Sequence, residues 1–538
     1  MHKFSVFLAI GIISAAAVTG GLRQKVQATF PAQSDKPRAV DVERSFSEAV
    51  AVVENNYVDR VENDVLTKAS IQGLLRTLDP HSSYFDSKEF QELQSEQHSQ
   101  FFGIGVTINR RNDRVYVLST IKNTPAERAG LRYGDAIIKV DGKSAVDWST
   151  QEVMERVRGP KGEPVEIEIE RPGVPKPLTF RIYRDAVPLP SIRNAYMIRP
   201  GIGYIALVGG FNHTTEQELL RAIEDLKLQG MQSLILDLRN NPGGLLTQAV
   251  KVANIFLQRG QVVVSVRGRN ERFESRVYEA VNPDPEDMPL VVLINRSTAS
   301  ASEIVAGAIQ DHDRGLIVGE TSFGKGLVQT VFHLPYGSGL TLTTAKYYTP
   351  SGRLIQREYR GLSLYDYYVR REQNTNSRTV HRTDAGRNVY SGGGIKPDIE
   401  VKGLEANPLR VRIFEGVFDF VRQLVNGQMQ GFANFKITKT VFNHKLRDDE
   451  FQITDKLLAA FRAHISLNER FKLTDAQFNE NLAYIKQRLR EEIVTAAYGT
   501  EVAQQVFLAS DPQTLRAIEE LPRARLLAEN ARAARFRR

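Results

Sequence analysis

The stretch from Leu290 to Gln329 constrains this chain most, because it spells out a strand, a helix and a second strand, with a serine at the strand–helix junction and a lysine just past the second strand. The apolar run Leu290–Ile294 has the length of a buried strand. Small and hydroxylated residues follow, Ser297-Thr298-Ala299-Ser300-Ala301-Ser302, and then Ile304, Val305, Ala308 and Ile309 recur on one helical face. A serine at such a junction projects its hydroxyl from the first helical turn. The next amide, that of Ala301, carries the positive end of the helix dipole toward any developing oxyanion. A second strand, Leu316–Gly319, leads into Phe323-Gly324-Lys325-Gly326. Flanking glycines let the backbone approach closely, and burial of the lysine would lower its pKa and suit it to be a general base.

The same grammar recurs upstream. Ile202–Val208 reads as a strand, Thr214–Gln229 as a helix with Leu219, Leu220, Ile223 and Leu226 inward, and Leu234–Arg239 as a nearly continuous apolar strand of a sheet covered on both faces. That strand ends in Asn240-Asn241-Pro242-Gly243-Gly244-Leu245-Leu246, a glycine turn opening a helix and suited to donating amides to an anion. Neither G-x-G-x-x-G nor a P-loop is present.

Length, 538 residues, implies about three or four domains. Apolar content of 41% and charged content of 25% are those of globular protein. With no cysteine, disulfides, thiolate metal sites and a cysteine nucleophile are excluded. The nine histidines show neither H-E-x-x-H nor another ligand spacing, so no metal and no cofactor is expected. Net charge is +8, of which residues 523–538 supply +5 through six arginines against Glu529; this end reads as a solvated, frayed tail, with no nucleic-acid role.

The pattern S-x-A-S-A-S-E over residues 297–303, with G-K-G-x-V-Q over 324–329, resembles the carboxy-terminal processing (tail-specific) serine proteases. The resemblance implies an α/β multidomain chain with a crotonase-like α/β protease core. It implies Ser300 as nucleophile, Lys325 as base and Gln329 as the residue orienting the lysine. The oxyanion hole it implies pairs Gly244 with Ala301, Gly243 standing second. Phe102-Gly103-Ile104-Gly105-Val106, the phrase from Thr124 to Leu131, and Gly134-Asp135 resemble a protease-associated PDZ domain. By that resemblance the loop Gly103, Ile104, Gly105 and Val106 holds a terminal carboxylate, and the helix at 150–157 borders a pocket for an apolar terminal side chain.

The organisation expected is a signal peptide or signal anchor over 1–28, a linker over 29–40, a helical region over 41–98, a PDZ domain over 99–186, a protease core over 187–403 with an insertion at 357–391, and a helical region over 404–538 with the basic tail. Met1-His2-Lys3 before the apolar Phe4–Val18 marks export, and Arg23 and Lys25 ahead of Val26-Gln27-Ala28 favour an uncleaved anchor. The protein is thus expected in the periplasm or elsewhere outside the cytoplasm. Leu78-Asp79-Pro80-His81-Ser82-Ser83-Tyr84 reads as a turn with side chains bonded to backbone rather than an Asp79–His81 dyad. The insertion reads as a lid, a groove wall or a plain surface loop. The apolar stripes of 404–538 suggest an oligomerisation or adaptor-docking module and a homo-oligomer.

The expected reaction is endoproteolysis of proteins with apolar carboxy termini. A Ser-His-Asp triad using His312 is opposed by about 18 Å of helix between it and Ser300, while His213 and His333 remain open. A PDZ scaffold with a dead core and a crotonase-like acyl-CoA enzyme are the readings from other classes.

Overall fold

The computed structural model describes residues 38–97, 99–269, 275–370, 379–405 and 407–536. The expected export segment lies outside them, as does the end of the basic tail. Among the described residues no helix is long and apolar enough to cross a membrane.

The chain divides at Ser70/Ile71 into two units. The first contains the helix Ala39–Asn56, which buries no residue and leaves Val40, Phe46, Val53 and Tyr57 exposed. Helices Asn63–Arg76 and Ser87–Gln97 follow it in the chain, and the strand Ser83–Phe85 interrupts the helical region expected over 41–98.

The second unit is built on a six-stranded sheet, in the order 192–199, 202–207, 233–237, 290–294, 316–319, 399–400. The first pair is antiparallel and every later pair parallel. Helices Thr215–Leu228, Leu246–Phe256 and Ala301–Asp311 cover one face, packing Ile223, Val252, Val305 and Ile309 against Leu236, Leu290 and Val292. In the first of these helices Leu219, Ile223 and Leu226 are buried, but Leu220 is exposed, one step off the inward stripe. The Ala301–Asp311 helix is buried on every side. Its outer side is closed by Thr349 and Ile395, which crowd Gly307.

The other face explains why Leu234–Asp237 and Leu290–Ile294 are apolar throughout. The helix Pro512–Phe536 lies across it, placing Ala517, Leu521 and Ala524 against Ile235, Val291, Leu293 and Val318. The expectation of a frayed tail is therefore corrected up to Phe536. Sheet faces this apolar must be covered, and the last helix covers this one. Arg239 fastens its start, donating to Asp511 Oδ2 at 2.6 Å and Gln513 Oε1 at 2.8 Å.

A second, antiparallel sheet runs 83–85, 339–348, 262–268, 276–279, with 327–333 paired to 339–348. The β-rich module between 106 and 183 has two helices: the short Pro125–Ala129, started by a proline in its first turn, and Thr150–Val157. Strands 100–103 and 185–188 pair and bring its two ends together. The stripes of the C-terminal region pack within the chain. Ile413, Val417 and Phe418 share a core with Tyr116 and Tyr133, and Tyr133 donates to Glu492 Oε2 at 2.8 Å.

Candidate active site

Ser300 stands between the strand 290–294 and the helix Ala301–Asp311. Its backbone has φ 55° and ψ −117°, a conformation that residues with a Cβ adopt at a cost of about 1–3 kcal/mol. The bend is held from several sides. Thr298 Oγ1 donates to Leu238 O at 2.9 Å, Ala299 N to Asn241 O at 3.0 Å, and Ser300 N to Glu303 Oε2 at 2.8 Å.

Glu303 organises the site, and the sequence reading assigned it nothing. It is fully buried and its carboxylate accepts four donors. Oε1 takes Ser322 Oγ at 2.5 Å and Gly324 N at 2.7 Å; Oε2 takes Ser300 N and, at 2.9 Å, Lys325 N. Burial pushes its pKa up to about 7 against the pull of those donors. Tyr347, itself buried, closes the same junction, its hydroxyl 3.1 Å from Ser300 O and 2.5 Å from Lys325 O. The acid three residues after a helix-capping serine was the available signal for Glu303. Tyr347 comes from the second sheet and had none.

Lys325 emerges just before the strand 327–333. Burial lowers its pKa from the ordinary 10.5, while Glu303 and then Asp79 oppose the shift. Its Nζ has no hydrogen bond or ion pair among the described residues. Gln329 donates Nε2–H to Thr343 Oγ1 at 3.1 Å, and its side-chain oxygen has no partner among them.

The glycine turn meets the serine directly. A Cβ on Gly243 would lie 2.6 Å from Ser300 Cβ and 2.9 Å from Ala301 N, and one on Gly244 2.4 Å from Phe211 O. Gly243 N is occupied, donating to Asn241 Oδ1 at 2.8 Å. The amides of Gly244 and Ala301 have no acceptor among the described residues.

Asp79 accepts His81 N at 2.7 Å, Ser82 N at 2.9 Å and Ser82 Oγ at 2.8 Å, so it forms the expected turn and no dyad. His81 nevertheless lies beside the site. Burial, and then the nearby Lys325, lower its pKa to about 4, and its Nε2 lies 2.9 Å from the Tyr367 hydroxyl. Tyr367, from the insertion, packs with Ala299 and Phe323, and Arg357 stacks 3.8 Å over the Phe323 ring. Part of the insertion is therefore a wall of the site. His312 is occupied at the far end of its helix by Asp384 at 2.8 Å and Val262 O at 2.7 Å.

At the other motif, Ile104 O accepts Ala126 N at 2.7 Å and Gly105 O accepts Ile121 N at 2.9 Å. Gly105 has φ 79°, and a Cβ there would meet Thr124 at 2.3 Å. With the carbonyls turned inward, the amides of Ile104 and Gly105 are left without an acceptor among the described residues.

Comparison with known proteins gives the family. Residues 201–363 fit the model of peptidase family S41, 92–170 that of the PDZ domain, and 13–89 that of the activating protease CtpB N-terminal domain. A carboxy-terminal-processing protease of Bartonella bacilliformis is 40% identical over 58% of this chain and 72% of its own length. The chain belongs to the carboxy-terminal processing proteases. Two more members, CtpA and CtpB of Bacillus subtilis, are 34% and 33% identical over 66% and 62% of this chain, and 75% and 69% of their own lengths. As a member of this family the protein is a serine-type peptidase with a PDZ domain, acting on protein or peptide substrates.

Proposed function

We propose that the protease is itself exported and cuts proteins near an apolar carboxy terminus by a serine–lysine mechanism. The observation that carries this reading is the convergence of Ser300 and Lys325 on Glu303, with a strained serine at a helix start and a lysine whose proton is destabilised by burial. Neutral Lys325 takes the proton of Ser300 Oγ as that oxygen attacks the scissile carbonyl. The amides of Gly244 and Ala301 receive the oxyanion, an interaction whose loss typically costs about 10²–10³-fold in rate. Lys325 passes the proton to the leaving amine, the C–N bond breaks, and an acyl-enzyme remains on Ser300. Water, deprotonated by Lys325, hydrolyses it. Gln329 holds Thr343 through its nitrogen and so keeps its oxygen available to accept from Lys325.

The PDZ loop, through the amides around Ile104 and Gly105, takes the substrate's terminal carboxylate and delivers the tail. The amino-terminal segment exports the protein to the periplasmic side and holds it at the inner membrane. Val40, Phe46 and Val53, exposed along Ala39–Asn56, support a homo-oligomer.

The test compares wild type, Ser300→Ala and Lys325→Ala on an unfolded reporter ending in an apolar tail or in Asp-Asp. Tail-dependent cleavage, lost in both variants, is expected. Cleavage surviving in Lys325→Ala would overturn the lysine's role.

A further inference from the structure

A cavity of about 790 Å³ opens not at Ser300 but beside the PDZ loop. One side is the PDZ domain itself: Ile104, Val106 and Ile108, faced by Met154 and Val157 of the helix Thr150–Val157. The strand 106–111 ends its sheet, pairing only with 114–120, so a peptide can add along its outer edge. The opposite side is not PDZ. Phe442–Leu446, with Tyr498 and Val502, lines it beside Ile192–Met197 of the core sheet.

We infer that the C-terminal helical region forms the second wall of the tail-binding groove and reads substrate residues upstream of the terminal carboxylate. This rests on the tail-binding role proposed above for the PDZ loop.

The wall is held by contacts within the chain. Val441 N donates to Ala497 O at 2.8 Å, which ties the loop to the end of the helix Leu482–Tyr498. The His444 ring stacks on Tyr498 with centroids 3.8 Å apart and an interplanar angle of 21°, and its Nε2 lies 2.8 Å from Glu450 Oε2. Arg490 Nε donates to Glu450 O at 3.0 Å. Leu446 packs with Val494, Val502 and Val506. A preorganised wall spares the peptide the ordering cost of a loop that closes only on binding.

Its charge selects the occupant. Lys122, Arg193 and Lys445 are exposed in the lining, against Glu501. Lys122 follows Ile121, whose amide holds Gly105 O, and therefore belongs to the carboxylate end; Lys445 stands on the opposite wall. A tail with an apolar terminal residue and an acidic residue upstream fits both. Its end meets Met154 and Val157, and its acid meets Lys445.

The test uses full-length protein carrying Ser300→Ala and fluorescent decapeptides with one apolar terminus, preceded either by glutamates or by lysines. Lys445 is exposed, and melting checks that Lys445→Glu folds. The wild-type wall should prefer the glutamate peptide by about two- to fivefold in Kd, the range of an exposed ion pair, and Lys445→Glu should invert the preference. An unchanged preference overturns the second wall. Met154→Asp should abolish binding of both peptides; if it does not, the PDZ groove reading fails and takes the inference with it.

Discussion

The amides of Ser300 and Lys325 donate to the same oxygen atom, Glu303 Oε2, so the two backbones can be no further apart than those two hydrogen bonds allow. Residues well separated along the chain are thereby held at one point by a buried carboxylate, and Tyr347 ties their carbonyls from the other side. Glu303→Gln replaces an acceptor oxygen with a donor nitrogen facing two N–H or O–H groups. Each orphaned donor costs about 1–3 kcal/mol, so a lower melting temperature and loss of peptidase activity are expected. Wild-type stability and activity in this variant would refute the organising role.

The pH dependence follows from the same groups. If Lys325 must be neutral to act, kcat/KM rises with pH as it deprotonates, and the midpoint lies below 10.5 because burial disfavours its charge. Glu303 acts oppositely on stability. Its folded pKa, about 7, is raised above the ordinary 4.5, so its contribution is fully present below 4.5 and is lost as pH rises through 7. Melting curves across that window should show a decline that Glu303→Ala flattens.

Strain at Ser300 gives a stability contrast that is independent of activity. At φ 55° a glycine is unstrained and an alanine is not. Both Ser300→Gly and Ser300→Ala should be inactive, but the glycine variant should be the more stable by about 1 kcal/mol in denaturant unfolding. Equal stability would mean that the bend relaxes when the hydroxyl is lost.

Gly243→Ala probes the proposed oxyanion site without removing a donor. Its methyl would press on Ser300 Cβ and Ala301 N. A fall in kcat of about 10²-fold or more is expected, with binding of an apolar tail peptide, measured by fluorescence anisotropy, unchanged at the PDZ loop.

Tyr367→Ala tests the wall supplied by the insertion. Removing a buried aromatic beside Phe323 costs about 3–5 kcal/mol and lets water toward Lys325. Less desolvation restores the lysine's pKa toward 10.5, so the acidic limb of the rate profile should move to higher pH. The milder Tyr367→Phe removes only the hydroxyl bonded to His81 and keeps the wall. A limb that stays in place in Tyr367→Ala would show that the wall does not set the lysine's environment.

What could be read directly was local. Strand 290–294, the serine at the start of its helix, the Gly243-Gly244 turn and the buried strand at 233–237 follow from apolar runs, small residues and glycines close in sequence, where one residue's conformation constrains the next. Leu220, one position off the inward stripe, and the short helix 125–129 show the limit of periodicity over a few residues. The tail from Arg523 looked solvated because its arginines dominate the composition, yet Ala524 and Ala531 on the same helix are buried. Small residues carry little sequence signal, and only the sheet face awaiting cover explains them. By itself the sequence determined the order of elements and placed Ser300 at a strand–helix junction and Lys325 in the glycine-flanked segment after the strand 316–319. Tertiary structure alone decided that Glu303 joins them, that Tyr347 and Tyr367 enclose them, and that residues 442–446 face the PDZ groove, because these contacts close across long stretches of chain with no local rule to announce them.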